Sequence, residues 1–273
     1  MEIRQVRAVW WSATGNTRKV TERVAEELAG ALGCPMSTVD FTPPQARQQI
    51  LSFGPEELVV VGSPTYAGKL PNKMLPDFQT KLAGGGALAV ALVTFGNRSF
   101  DNSLAELCAA LEASGFHTVA GGAFACRHAF TDKLAPGRPD WSDLSQAADL
   151  ARRTAEKVRG LTGVPSPVEV PGDAAAPYYV PRGTDGQPAK FLKAKPKTNL
   201  SRCCNCGACA RACPMGAIDP ADVSSVPGTC IKCQACVRKC TRGAKFFDDP
   251  AFLSHVAMLE QNFTEPKENG VFL

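Results

Sequence analysis

Nine of the twelve cysteines in this 273-residue chain fall between Cys203 and Cys240, and eight of them follow one spacing twice. The first run is Cys203-x-x-Cys206-x-x-Cys209-x-x-x-Cys213-Pro214, and the second is Cys230-x-x-Cys233-x-x-Cys236-x-x-x-Cys240. Three thiolates set two residues apart let one tight loop wrap three irons of a cubane, and the fourth cysteine of each run ligates the other cluster. The spacing therefore predicts one [4Fe-4S] cluster on Cys203, Cys206, Cys209 and Cys240, and a second on Cys230, Cys233, Cys236 and Cys213. Cys204 stands outside this register and is expected to be a non-ligand. Structural zinc sites also use Cys-x-x-Cys pairs, but two runs of four thiolates with a wider last gap fit zinc poorly. Disulfides are expected with an export signal, and the chain opens Met-Glu-Ile-Arg without the apolar stretch of one.

A second kind of chemistry is carried by three loops. An apolar run, Val6 to Trp11, leads directly into Ser12-Ala13-Thr14-Gly15-Asn16-Thr17 and then a helix-like stretch. Backbone N–H groups at a helix start, with small hydroxyl side chains and a glycine permitting close approach, form an anion site suited to a phosphate. The same residue types also serve as plain helix caps. Two more apolar runs end in Gly62-Ser63-Pro64-Thr65-Tyr66-Ala67-Gly68 and in Thr94-Phe95-Gly96-Asn97-Arg98-Ser99-Phe100-Asp101. His128, in Cys126-Arg127-His128, titrates near neutral pH, yet reads as a surface or capping residue. Cys108 lies among Leu104, Leu107 and Leu111 and reads as core, while Cys34 and Cys126 have no assigned role.

The elements that must position these loops alternate in type. Strand-like runs at Val6–Trp11, Ser37–Asp40, Leu58–Gly62, Ala87–Phe95 and Thr118–Ala125 are separated by helix-like stretches at Lys19–Leu32, Asn72–Leu82, Ser103–Ser114 and Ser145–Val158. That pattern predicts an α/β fold, a doubly wound five-stranded parallel sheet covered by helices on both faces. In the strand order 2-1-3-4-5, the first, third and fourth strands have adjacent C-terminal ends, so the three loops converge on one crevice.

The loop set resembles the flavodoxin family over about residues 4 to 160. The resemblance implies FMN, with its phosphate on Ser12, Ala13, Thr14, Gly15, Asn16 and Thr17. Its isoalloxazine would lie between Pro64, Thr65, Tyr66, Ala67 and Gly68 on one side and Phe95, Gly96, Asn97, Arg98, Phe100 and Asp101 on the other. Tyr66 and Phe100 are the stacking candidates or rim packing, and Arg98 either compensates a reduced flavin or is solvated. Residues 198 to 247 resemble bacterial two-cluster ferredoxins, with Thr241 standing where that family repeats the Pro seen at Pro214. The pairing resembles the flavodoxin-ferredoxin fusion proteins of anaerobic bacteria.

The expected organisation is a flavodoxin-like domain over 1–160, a Pro/Gly-rich linker over 161–197, and a small α+β ferredoxin-like domain over 198–273 closed by a helix at Pro250–Gln261. Tyr178, Tyr179, Phe191 and Leu192 suggest that part of the linker lies against a domain surface. Composition is ordinary for a globular chain, with 44% hydrophobic and 21% charged residues. The longest apolar run, Ala87 to Phe95, is too short to span a bilayer, so no membrane span and a cytoplasmic location are expected. A net charge of +4 without a long basic run excludes a nucleic-acid footprint. From residue 200 onward eight basic residues meet seven acidic ones, and several of the bases adjoin ligand cysteines. Added cations stabilise a reduced cluster, so raised potentials are expected, with Arg238 and Lys239 as the residues to vary.

Flavins exchange one or two electrons and a cubane exchanges one, so the expected function is electron transfer between clusters, FMN and a redox partner protein. The rival is an FMN-dependent reductase with a small-molecule substrate above the flavin. No pyridine-nucleotide fingerprint is present, because Gly84-Gly85-Gly86 precedes a strand. A metal-stabilised binding module leaves the three loops unexplained.

Overall fold

The computed structural model describes residues 2–273; Met1 lies outside it. Five parallel strands, β1 (Gln5–Trp10), β2 (Met36–Asp40), β3 (Glu57–Pro64), β4 (Leu88–Phe95) and β5 (His117–Ala125), pair in the order β2-β1-β3-β4-β5. The alternation of runs predicts the parallel sheet, and this order is the one expected of a flavodoxin-like fold. Helices α1 (Asn16–Leu32), α2 (Leu75–Thr80), α3 (Ser103–Ala113) and α4 (Trp141–Arg159) connect or flank the strands. α2 is shorter than its apolar pattern predicts. α4 starts earlier, because Asp140 and Asp143 cap each other's backbone N–H groups at 2.9 and 3.0 Å.

Strand residues alternate between two cores, as the pleat requires. Val6, Ala8 and Trp10 face α1 and α4, whereas Val9 and Trp11 join the core that holds α3. α1 presents Thr17, Val20, Thr21, Val24 and Leu28 inward and stops at Gly33, whose φ of 71° only glycine adopts freely. Its packing is close: a Cβ on Gly62 would sit 1.9 Å from Thr21 Oγ1.

The C-terminal part is built from α5 (Ala208–Arg211), α6 (Ala235–Lys239), α7 (Pro250–Asn262) and two paired two-residue strands, β6 (Lys197–Thr198) and β7 (Lys245–Phe246). It does not stand apart. Cys233 and Ala235 are buried in the same core as Trp11, Phe41, Met74 and Phe78. Arg47 donates to the Pro214 carbonyl at 2.7 Å, and Arg238 pairs with Asp132 at 2.6 Å. The chain then returns to the sheet, where β8 (Gly270–Phe272) pairs antiparallel with β5 as a sixth strand. The sequence pattern did not call for this strand; three residues are too few to show a period.

Residues 161–197 form a strap against both parts. Val168 N–H donates to the Thr118 carbonyl at 3.0 Å and Tyr179 N–H to the Ala67 carbonyl at 2.8 Å. Lys69 and Glu106 form a buried ion pair at 3.0 Å, and the Lys69 ammonium also holds the Ala174 and Ala176 carbonyls at 2.8 Å. Further on, Phe191 stacks on His255 of α7 at 5.4 Å. Among the described residues no helix is long and apolar enough to cross a membrane.

Candidate functional site

The two cysteine runs fold alike. Asn205 and Gly207 have φ of 51° and 71°, and Lys232 and Gln234, one repeat later, have 57° and 65°. These left-handed residues turn the chain so that successive thiols face one space, and a short helix follows in each copy. Gly216 and Gly243 share a φ of 57°. Each precedes an alanine whose N–H points at the last cysteine of its run: Ala217 to Cys213 Sγ at 3.3 Å and Ala244 to Cys240 Sγ at 3.2 Å.

The thiols separate into two cavities that cross the sequence runs. Cys213, Cys230, Cys233 and Cys236 line one. Cys203, Cys206, Cys209 and Cys240 line the other, with Cys204 at its exposed rim. Among the described residues, no three Cys, His, Asp or Glu side chains gather closely enough to hold a single metal ion.

The donor chemistry suits an iron-sulfur cluster. N–H groups aimed at sulfur favour the thiolate. Burial raises the Cys240 thiol, but the N–H groups of Ala244, Lys245, Arg242 and Gly243 outweigh it and hold it below its ordinary value. Burial pushes Cys236 up to about 12 and Cys233 higher still, so both need a bound metal to be thiolates at neutral pH.

Two lysines accompany the cavities. Lys232 lines the one with Cys230, and Lys245 lines the other. Both are buried, neither has a carboxylate within ion-pair distance among the described residues although Asp249 and Asp222 act on them from further off, and both ammonium groups hold backbone carbonyls. Arg238, expected from sequence to act on a cluster, instead bonds Asp132 and the His128 and Ala129 carbonyls and fastens the two parts of the chain.

At the sheet's C-terminal edge, Gly15 caps α1 with φ 95°, and a Cβ there would meet open space. The loop is held in place from outside. Ser12 N–H donates to Thr42 Oγ1 at 2.8 Å, Ser12 Oγ accepts from Arg18 N–H at 3.1 Å, and the Asn16 amide reaches the Arg127 carbonyl at 3.2 Å. The N–H groups of Ala13, Thr14, Gly15, Asn16 and Thr17 find no acceptor among the described residues, the arrangement a phosphate needs. The Thr17 hydroxyl is not part of it, since it is buried against Thr94 Oγ1 at 2.7 Å.

The other two loops meet each other. Pro64 ends β3, and Thr65 N–H and Oγ1 reach the Thr94 carbonyl at 2.7 Å and Ser103 Oγ at 2.6 Å. Ala67 and Gly68 turn with positive φ, and a Cβ on Gly68 would strike Asp101 Oδ2 at 2.3 Å. Asp101 is paired with Arg98, whose guanidinium lies 4.1 Å from the centre of the Tyr179 ring. Phe100 packs on Phe95 with ring centres 5.6 Å apart. Tyr66 meets the edge of Trp11 at 5.9 Å. Its phenol is pushed well above its ordinary value, first by burial and then by Cys233 and Cys230, which places it between this crevice and the nearer cysteine cavity. The Asn97 side chain is occupied, donating to the Phe263 and Glu265 carbonyls at 2.7 and 3.0 Å, so the C-terminal segment is moored on this loop.

His128 is half-buried and acts as a cap, its Nδ1 accepting from the Phe130 N–H at 3.1 Å. Its ring packs where a Cβ on Gly96 would lie, 2.3 Å from Cδ2. Burial, with His255, Arg238 and Arg98 nearby, lowers its pKa to about 4. An unfolded histidine takes a proton near pH 6.5, so stability is full above that pH and falls as the pH drops towards 4. The group accounts for roughly 3 kcal/mol across that window. Anaerobic denaturant titrations should show this slope in the wild type and lose most of it in His128→Gln; parallel pH profiles would refute it.

A family model described as a 4Fe-4S binding domain matches residues 196–219. No curated protein matches the chain. Among solved structures, a flavodoxin from the domain Archaea is similar at 15% identity and TM-score 0.39, over 57% of this chain and 99% of its own. The rubredoxin oxygen:oxidoreductase of the anaerobe Desulfovibrio gigas is similar at 18% identity and TM-score 0.34, over 58% of this chain and 37% of its own. The flavodiiron protein of Giardia intestinalis is similar at 15% identity and TM-score 0.33, over 57% and 36%. By its own strand order and this family match, the chain joins a flavodoxin-like α/β sheet to a 4Fe-4S binding segment, the make-up of a flavodoxin-ferredoxin fusion.

Proposed function

We propose that the chain is an iron-sulfur flavoprotein that passes electrons between two [4Fe-4S] clusters, one FMN and a partner redox protein. Bound FMN would exchange one or two electrons and each cubane one. The observation that carries the reading is the shared core: Cys233 and Ala235, from the second cysteine run, belong to the same buried core as Trp11, against which Tyr66 and Phe100 pack, and Cys233 and Cys230 act on the Tyr66 phenol. The cavity of Cys213, Cys230, Cys233 and Cys236 therefore adjoins the crevice, and the cavity with the exposed Cys204 and Cys206 is open to solvent and to a partner.

The chain's own groups supply the remaining requirements. The amides of residues 13–17 bind the phosphate, the loops at Pro64–Gly68 and Phe95–Asp101 flank the ring, and Tyr178 and Tyr179 of the strap lie across them. Tyr178 Oη donates to the Leu70 carbonyl at 2.9 Å. A strap bonded over the loop tips favours electron transfer over direct reduction of an organic substrate.

Anaerobically prepared protein is expected to hold about eight iron and eight sulfide with one FMN per chain. After dithionite reduction it should be reoxidised by a small one-electron carrier protein and not by a panel of small organic acceptors. Turnover of an organic acceptor with no second protein would establish the reductase instead, and two zinc per chain would end the cluster reading.

A further inference from the structure

We propose that Lys232 and Lys245 are the fixed counter-ions of the two clusters, one lysine to each, and that each raises the reduction potential of the cluster whose cavity it lines more than that of the other. The inference rests on the reading above that each cysteine cavity receives a [4Fe-4S] cluster. It begins from an imbalance. Lys232 is 9% exposed and Lys245 is 3% exposed, yet neither ammonium has a carboxylate within ion-pair distance among the described residues. Lysine is almost never buried unpaired, because an ammonium removed from water without an anion is strongly disfavoured.

The protein supplies only part of what each ammonium needs. Lys232 Nζ donates to the Leu192 carbonyl at 2.8 Å and the Cys230 carbonyl at 3.2 Å, and Lys245 Nζ donates to the Val223 carbonyl. Three donors per ammonium leave one N–H of Lys232 and two of Lys245 without an acceptor among the described residues. Both side chains line a cysteine cavity, Lys232 that of Cys213, Cys230, Cys233 and Cys236, and Lys245 that of Cys203, Cys206, Cys209 and Cys240. Four thiolates outweigh the charge of the iron-sulfide core, so a bound cluster is the missing anion, and each added electron deepens its charge.

The two lysines are not copies of one repeat position. The residue matching Lys232 in the first run is Asn205, and the residue matching Lys245 is Ile218. One cation per cavity has therefore been placed twice, from different positions. The other bases act more weakly. Arg202, Arg211, Lys239 and Arg242 are exposed and screened by water and salt, and Arg238 is committed to Asp132.

The test is an EPR-monitored redox titration of anaerobic wild type, Lys232→Met and Lys245→Met, each first assayed for iron and sulfide. Lys232→Met should lower the potential of the cluster on Cys213, Cys230, Cys233 and Cys236 and move the other less. Lys245→Met should do the reverse. The charge-preserving Lys→Arg variants should keep both potentials closer to wild type than the Met variants do. Full iron with unmoved potentials overturns the proposal, as does an equal or larger shift of the other cluster in either variant. If a Met variant loads poorly, Lys→Gln replaces it, and unmoved potentials or lost clusters there also count against the proposal. A wild type devoid of iron and sulfide would instead defeat the cluster reading itself.

Discussion

Replacing Cys213 with Ser is expected to cut the iron of the anaerobically prepared protein from about eight to about four per chain, and to remove the cluster held by the other cysteine run. In the chain Cys213 follows Cys203, Cys206 and Cys209, but in the fold it lines the cavity of Cys230, Cys233 and Cys236. Cys240 is exchanged in the opposite sense. The exchange makes double variants informative. Cys213→Ser with Cys230→Ser should lose no more iron than either change alone, because both strike one cluster. Cys213→Ser with Cys209→Ser should lose nearly all of it, because they strike different clusters. Retention of about four iron in that second pair would mean that each run holds its own cluster. Cys204→Ser should keep all eight, since Cys204 sits at the exposed rim and outside the repeated spacing.

Much of this arrangement was legible in the sequence because the governing signals are local. A cysteine run states its own spacing, and an apolar run followed by a Gly-containing cap states a strand, a turn and a helix. The five parallel strands follow from that alternation, and their order is the one the flavodoxin resemblance implies. What sequence could not show is contact between distant segments. Nothing around His128 announces that it will fill the space left by Gly96, and nothing in Phe263 or Glu265 announces that Asn97 will hold their carbonyls. Tyr178 and Tyr179 did stand out as aromatics in a Pro-rich stretch, and they prove to be where the strap grips the crevice loops. Lys232 and Lys245 were visible only as two bases among eight, since burial, which sets them apart from Arg202 or Arg242, is a property of the fold. The same blindness made Arg238 look like a cluster cation when its partner is Asp132, more than a hundred residues earlier.

Within the anion loop, Thr14 and Thr17 look equivalent in sequence, and the structure separates them. Thr14 lies in the turn ahead of α1 with its N–H unengaged, whereas the Thr17 hydroxyl is buried against Thr94 Oγ1 at 2.7 Å. A carboxylate at position 14 would face the phosphate directly. At an effective dielectric near 20, two like charges about 5 Å apart repel by about 3 kcal/mol, so Thr14→Asp should weaken FMN binding by about a hundred-fold or more. Thr17→Val acts on a different quantity. It strands the Thr94 hydroxyl, which should cost about 1–3 kcal/mol of folding stability, while FMN affinity stays within a few-fold of wild type. Fluorescence titration of deflavinated protein with FMN, run beside denaturant unfolding of both variants, separates the two effects. Unchanged FMN affinity in Thr14→Asp would remove this loop from the flavin site. A large loss of affinity in a stably folded Thr17→Val would show that the hydroxyl leaves Thr94 to bind the phosphate.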